Sequence, residues 1–350
     1  MPVIEAVATA LPRYRLTQAE AKQLAARLFQ SFHQAVDRYL SVFDHAAIDE
    51  RYLCMPPEWY ERDNPFSEKN RRFIDMACQL GKEAVDRCLA ESGRSPADID
   101  HVIVVTSTGI ATPSLDAHLM NRLPFRRNIR RTPVWGLGCA GGVAGLTLAC
   151  EWAQAFPRSR VLMVAIECCS LTFQRHDLSK RNLVAASLFA DGAAAVLVAG
   201  DDAGAVGPRW LGSMSHTWED SLDLMGWHVT DDGLEVVFSK QIPAFVRQYL
   251  LPVVKGFLQQ HDLSGAAALR HVIAHPGGAK VLHALMEVLP MDPAAVAPSW
   301  RVLKRYGNMS SPTVLFVLKE VMQSGPKPGD CGLLLAMGPG FSVEQVLLAW

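Results

Sequence analysis

Three residues have the types and settings that nucleophilic acyl transfer needs: Cys139, His275 and Asn308. Cys139 lies in WGLGCAGGVAGLTLA, among small residues, with an apolar helical pattern after it. That places the thiol at a strand- or loop-to-helix junction. Unpaired N–H groups and the helix dipole favour thiolate there. Gly138, Gly141 and Gly142 leave room for a thioester to approach the backbone. His275 ends the strand-like run HVIAH, and Pro276-Gly277-Gly278 break that strand. Its imidazole should emerge at the C-terminal edge, where sites form in open α/β sheets. Asn308, in YGNMSSPTVLFVL, stands at a turn before a helix and suits an N-cap. Taken singly, each has a plainer reading: a buried structural cysteine, a satisfied turn histidine, a capping asparagine. Together they make a nucleophile with a base and an oriented amide. An Asn donor beside a His also suits decarboxylation, because both can bond the carbonyl oxygen of a malonyl thioester and stabilise its enolate. A hydrolytic Cys–His–Asn site would need a path for water, and the residues leave that open. Gly338-Pro339-Gly340, after LLLAM, forces a tight turn that can approach a ligand or simply turn the chain.

The elements that must position these residues read as alternating helices and strands. Residues 17–50 and 68–91 read as amphipathic helices. Buried strands fit 102–106, VLMVAIE at 161–167 and AAAVLVAG at 193–200. The fold class is therefore α/β, a sheet covered on both faces. A long-period repeat supports two related halves. HVIVVTSTG starts at His101 and HVIAHPGG at His271. Cys139 follows the first by 38 residues and Asn308 follows the second by 37. Each half then closes on a Gly-bounded strand, DGAAAVLVAG or DCGLLLAMGPG. The break falls near GDDAGAVGPRW, giving halves 1–205 and 206–350. Packed about a pseudo-twofold, they bring the two helix starts and the His275 strand end together.

Composition narrows the function classes. The 350 residues are 49% hydrophobic and 20% charged, with a formal net charge of -1. This is an ordinary globular balance with no basic surface for nucleic acid. No run reaches about 18 apolar residues, and the start lacks a basic n-region before an apolar stretch. No membrane insertion is expected, and the expected location is cytoplasmic. Eight scattered cysteines without a secretory signal read as reduced thiols, and the pair Cys168-Cys169 lacks a metal-ligand spacing. No metal is expected.

GLGCAGG, IAHPGG, YGNMSSPTVLF and MGPG match, in order, signatures of the type III polyketide synthases, the chalcone synthase-like proteins. The chain resembles that family from about residue 3 to 350. The resemblance implies a thiolase-like fold, two α/β halves in five αβαβα layers, and a homodimer. It implies that Cys139 is loaded by an acyl-CoA starter, while His275 and Asn308 drive decarboxylation of malonyl-CoA for repeated Claisen condensation and cyclisation. No cofactor is implied; the CoA thioesters are substrates. Phe189 falls at the family's gatekeeping phenylalanine, and Val236 replaces the second, which suggests a wider passage. Cys169 and Thr172 fall where the plant enzymes carry threonines, and Trp227 where they carry a small residue. Thr112 replaces a methionine that the plant enzymes push into the partner's cavity. Met337 and Gly338, in MGPG, fall beside the substrate. Lys280 and Arg38 fall near CoA-contacting positions. RHDLSKRNLVAASLFADGAAAVLVAG, RYLCMPPEWY and EKNRRFIDMA look like the bacterial branch that makes alkylpyrones and alkylresorcinols from fatty acyl-CoA.

Four rivals stay open at this level. A tetrahydroxynaphthalene-type synthase uses only malonyl-CoA. Ketoacyl carrier-protein synthase III makes one condensation. A non-catalytic acyl-CoA binding protein would tolerate loss of Cys139, His275 or Asn308. A Cys hydrolase releases free acid without malonyl-CoA.

Overall fold

The computed structural model describes residues 1–29 and 36–350. Strands β1 (Val3–Ala10) and β2 (Tyr14–Thr17) lead into α1 (Gln18–Leu28). Next come α2 (Val36–Asp44), β3 (Glu50–Leu53), the short α3 (Pro57–Tyr60) and the long α4 (Phe66–Ser92). They are followed by β4 (His101–Thr106), α5 (Leu115–Arg122), β5 (Arg130–Trp135), α6 (Gly141–Ala155), β6 (Arg160–Cys168), α7 (Lys180–Leu188) and β7 (Asp191–Ala199). Then come β8 (Arg209–Thr217), the hairpin of β9 (Met225–Thr230) and β10 (Gly233–Phe238), and α8 (Ile242–Gln259). The chain closes with β11 (His271–Ala274), α9 (Ala279–Val288), α10 (Pro293–Tyr306), α11 (Thr313–Gln323), β12 (Cys331–Gly338) and β13 (Ser342–Ala349).

The expected helix over 17–50 is interrupted. Thr17 and Glu20 close a capping box that starts α1, which satisfies two otherwise unpaired N–H groups. By Glu50 the chain is extended again, because Glu50–Leu53 pairs antiparallel with Tyr14–Thr17. That ribbon clamps α1 and α2 as one flap. Its apolar side (Leu24, Phe29, Leu40, Phe43) packs with Leu183 of α7.

Among the described residues, nine strands form one sheet in the order β11-β12-β13-β8-β1-β7-β6-β4-β5. β4 runs parallel to both β5 and β6, and β6–β7 and β7–β1 are antiparallel. The other end repeats the series: β11 and β12 are parallel, then β12–β13 and β13–β8 are antiparallel. Thus β4 and β11 correspond, as their shared HVI suggests. The closing strands do not correspond as the spacing implies. By register, DGAAAVLVA (β7) matches β13, while CGLLLAMG (β12) matches β6. Spacing alone cannot separate these, because which strand pairs with which is a long-range property.

The side-chain period of two divides each buried strand between two layers. On β4 and β6, Val102, Val104, Leu162 and Val164 pack with Phe73, Leu80 and Val85 of α4. Ile103, Val105 and Met163 pack on the opposite side, with Val143 and Leu146 of α6 and Val314 of α11. At the other end, Leu334 and Ala336 of β12 join that same inner helix layer. Leu333 and Leu335 face Val254 and Phe257 of α8 and Leu282 of α9. The order is helix, strand, helix, strand, helix, with α6 and α11 innermost. Their N-terminal ends meet at the site.

Candidate active site

Cys139 sits in a 3-10 turn, Gly138–Ala140, that runs directly into α6. Two glycines let neighbouring backbone close on it. A Cβ on Gly338 would stand 2.4 Å from Leu137 O and 2.9 Å from Ala140 N. A Cβ on Gly142 would stand 2.2 Å from Ser311 O. A Cβ on Gly138 would stand 2.7 Å from Pro339 Cδ and one on Gly141 2.6 Å from Val105 Cγ1, so Gly138, Gly141 and Gly142 serve contact between elements, not the room for a thioester expected of them. Gly142→Ala should cost about 3 kcal/mol, because the obstacle is backbone with no rotamer to yield. A lowered denaturation midpoint is the expected result. An unchanged one would show that α6 and the Asn308 segment are not locked together.

Asn308 is fully buried. Its N–H donates to Leu188 O and its C=O accepts from Ala190 N, both at 2.9 Å. Its side-chain Oδ1 accepts from Ser310 N at 2.8 Å, which fixes Nδ2 as the donor side. Nδ2 donates to Gly277 O at 3.1 Å. The N-cap expectation for Asn308 is overturned. α11 starts at Thr313 after Pro312, since proline suits a helix start, and Thr313 Oγ1 takes the Met309 N–H.

His275 follows β11, and its N–H donates to Leu335 O at 2.8 Å. The ring is buried, and among the described residues neither nitrogen has a hydrogen-bond partner. Burial lowers the imidazole to about 3. Burial also pushes the Cys139 thiol up to about 12, against donation from the Ser310 and Asn308 side chains. The thiolate expected from a helix N-terminus is therefore not available to Cys139 alone. Desolvation outweighs the hydrogen bonds that favour the charged form. Asn308 links the set, since it contacts the Cys139 sulfur and holds the loop that carries His275.

Glu167 and Ser311 were not singled out from the sequence. Glu167 is buried near Cys139 and accepts from Ser107 N and Oγ, Thr108 Oγ1 and Ser311 Oγ at 2.8–2.9 Å. Burial raises its carboxyl despite those donors. The signal was present: an acid ending the apolar run VLMVAIE must find partners inside.

An apolar cavity of about 80 Å³ opens between the site and the flap. Cys169, Thr172, Phe189 and Val236 line it, with Leu24, Ala25, Phe29 and Phe43 from the flap opposite. Cys169 lies near enough to Cys139 for a charge there to push its own thiol up. Trp227 pairs with Val236 across the β9–β10 ladder, its ring 6.2 Å from Phe189. Met337 is buried and Gly338 presses on the Cys139 turn. Thr112 is exposed in the loop after β4 and does not reach the cavity of its own chain. Lys280 is exposed in the first turn of α9. The side chain of Arg38, in α2, lies outside the described residues. Among the described residues, no His, Cys, Asp or Glu group could hold a metal ion, and no helix is long and apolar enough to cross a membrane.

The layered fold, with buried Cys139 in the turn that opens α6, buried His275 just after β11 and buried Asn308 in the segment before α11, is that of a thiolase-like acyltransferase. The chain belongs to the chalcone and stilbene synthases: residues 2–202 match the N-terminal domain of that family and residues 216–349 the C-terminal domain. It is a type III polyketide synthase. It is 39% identical to a chalcone-synthase-like protein of Bacillus subtilis (strain 168), covering 100% of this chain and 99% of that one. It is 40% identical to 1,3,6,8-tetrahydroxynaphthalene synthase of Streptomyces peucetius subsp. caesius, over 99% and 93% of the two chains. The crystal structure of the Streptomyces coelicolor A3(2) 1,3,6,8-tetrahydroxynaphthalene synthase superposes with a TM-score of 0.94 at 30% identity, covering 99% of each chain.

Proposed function

We propose that this synthase loads a medium- or long-chain fatty acyl-CoA on Cys139, extends it with malonyl-CoA and releases an alkylpyrone or alkylresorcinol-type product. The observation that carries this reading is the apolar cavity beside Cys169. Its flap wall is leucine, alanine and phenylalanine, and a buried aliphatic tail gains about 0.8 kcal/mol per methylene there.

In this reading the Cys139 sulfur attacks the starter thioester, and CoA leaves as its thiol, taking the proton that His275 received from Cys139. Malonyl-CoA then binds with its thioester oxygen facing His275 and the Asn308 amide. Loss of CO2 leaves an enolate whose oxygen those two donors stabilise. The enolate carbon attacks the acyl-Cys139 carbonyl, the C–S bond breaks, and the lengthened chain departs on CoA for another round. The unpartnered His275 nitrogens and the fixed Asn308 donor support these roles. Lys280 and Arg38 are proposed CoA contacts, the halves 1–205 and 206–350 a shared ancestry of site geometry, and the working form a cytoplasmic homodimer that needs no cofactor.

Use of malonyl-CoA as the sole substrate is the second reading, favoured by the similarity to the two tetrahydroxynaphthalene synthases. Product mass spectrometry separates them. Malonyl-CoA supplied with starters from acetyl to palmitoyl should give alkyl products whose mass follows the starter, at least about tenfold above any naphthalene. A single naphthalene product, whatever starter is present, would reverse the choice.

A further inference from the structure

Arg51 is a charged side chain in a place where charge is costly. It lies on β3, only 2% exposed, in the wall of the apolar cavity. Among the described residues no carboxylate hydrogen-bonds to its guanidinium, although the charge of Asp191 is felt there; the hydrogen bonds go elsewhere. Nη1 donates to Ala186 O at 2.6 Å and Phe189 O at 3.1 Å. Nη2 donates to Ser187 O at 2.8 Å and to Gln18 Oε1. Gln18 reinforces the clamp, its Nε2 donating to Ser187 O at 3.1 Å and Phe43 O at 3.2 Å. Three of these acceptors are carbonyls at the C-terminal end of α7. Such carbonyls lack helical partners and carry the negative end of the dipole, which a buried cation satisfies.

The stretch held in this way is the one that meets Asn308. Leu188 O accepts from Asn308 N, and Ala190 N donates to Asn308 O. Phe189, the gate residue between them, is bridged to Asn308. We propose that Arg51 is a positioning residue for condensation. Its guanidinium pins residues 186–189, and the Leu188–Asn308–Ala190 bridge passes that constraint to the Asn308 amide. Loading of Cys139 does not use the amide in the same way and should be largely indifferent to the clamp. The inference rests on the decarboxylation role given to Asn308 above.

The test measures two steps in the full-length protein: acylation of Cys139 by intact mass, and CO2 release from malonyl-CoA. Arg51→Gln should lower the kcat of decarboxylation about thirtyfold while acylation falls about threefold or less. Arg51→Lys should recover only part of the loss, since one ammonium nitrogen cannot span acceptors that are divided between the two arms of the planar guanidinium. Gln18→Ala should shift the same ratio about threefold. If Arg51→Gln does not fold, Arg51→Lys and Gln18→Ala carry the same two measurements. A merely structural Arg51 would lower both steps together, following the loss of folded protein, and an unchanged ratio overturns the proposal. Asn308→Ala separates this from the reading beneath it. If Asn308→Ala spares decarboxylation, the role of Asn308 fails. If Asn308→Ala abolishes it and the clamp variants leave the ratio alone, the role of Arg51 fails by itself.

Discussion

Cys139→Ala is expected to abolish starter loading and product formation, by at least about 10³-fold, while the fold and its denaturation midpoint stay close to wild type. The size of the effect follows from what surrounds the sulfur. Cys169 lines the cavity, but burial raises its thiol well above the usual range, and Asp191 and Glu167 raise it further. It has no donor set comparable with the Ser310 and Asn308 side chains that face Cys139, so it cannot substitute as nucleophile. The fold survives because the substitution removes one atom from a turn whose packing is set by glycine and backbone contacts at Gly138 and Gly338. Intact mass after incubation with acyl-CoA reads loading directly. A stable acyl adduct on the variant, or normal product, would remove Cys139 from the mechanism.

Local pattern carried much of this site, and long-range packing carried the rest. His275 was legible because a strand signal, a proline and two glycines are neighbours in sequence, and β11 does end at Ala274. Strands β4, β6 and β7 were legible because buried strands are continuous apolar runs. Arg51 was not, since ERYL reads as an ordinary alternating strand with its charge in water. It is buried by long-range packing of β3 against the C-terminal end of α7. The reason given for Asn308 from local pattern was partly wrong. A turn before a helix suggested a cap, yet Pro312 and Thr313 start the helix and leave the amide free for Gly277 and Cys139. Gly138, Gly141 and Gly142 read as space for substrate because sequence does not show that Pro339, Val105 and Ser311 already occupy the positions beside them.

His275→Gln is expected to change how Cys139 responds to pH, in addition to slowing catalysis. In the folded chain each partner alone resists charge: burial holds the thiol near 12 and the imidazole near 3. A lone thiolate at pH 7 then costs about 7 kcal/mol. Moving one proton from Cys139 to His275 leaves the pair with no net charge, and the attraction between the two ions in a dry site offsets their desolvation. Removing the imidazole removes that route. The thiolate fraction of the variant should then grow about tenfold per pH unit up to pH 10, because the whole range lies below the thiol's raised value. Wild type should vary much less over the same range. At pH 7 the alkylation rate of Cys139 by iodoacetamide should be at least about 10²-fold slower in the variant. Rate profiles for the two proteins that coincide from pH 6 to 10 would mean that His275 does not ionise the thiol. Its unpartnered nitrogens would then serve the malonyl thioester alone, and loading would have to draw its base from elsewhere in the site.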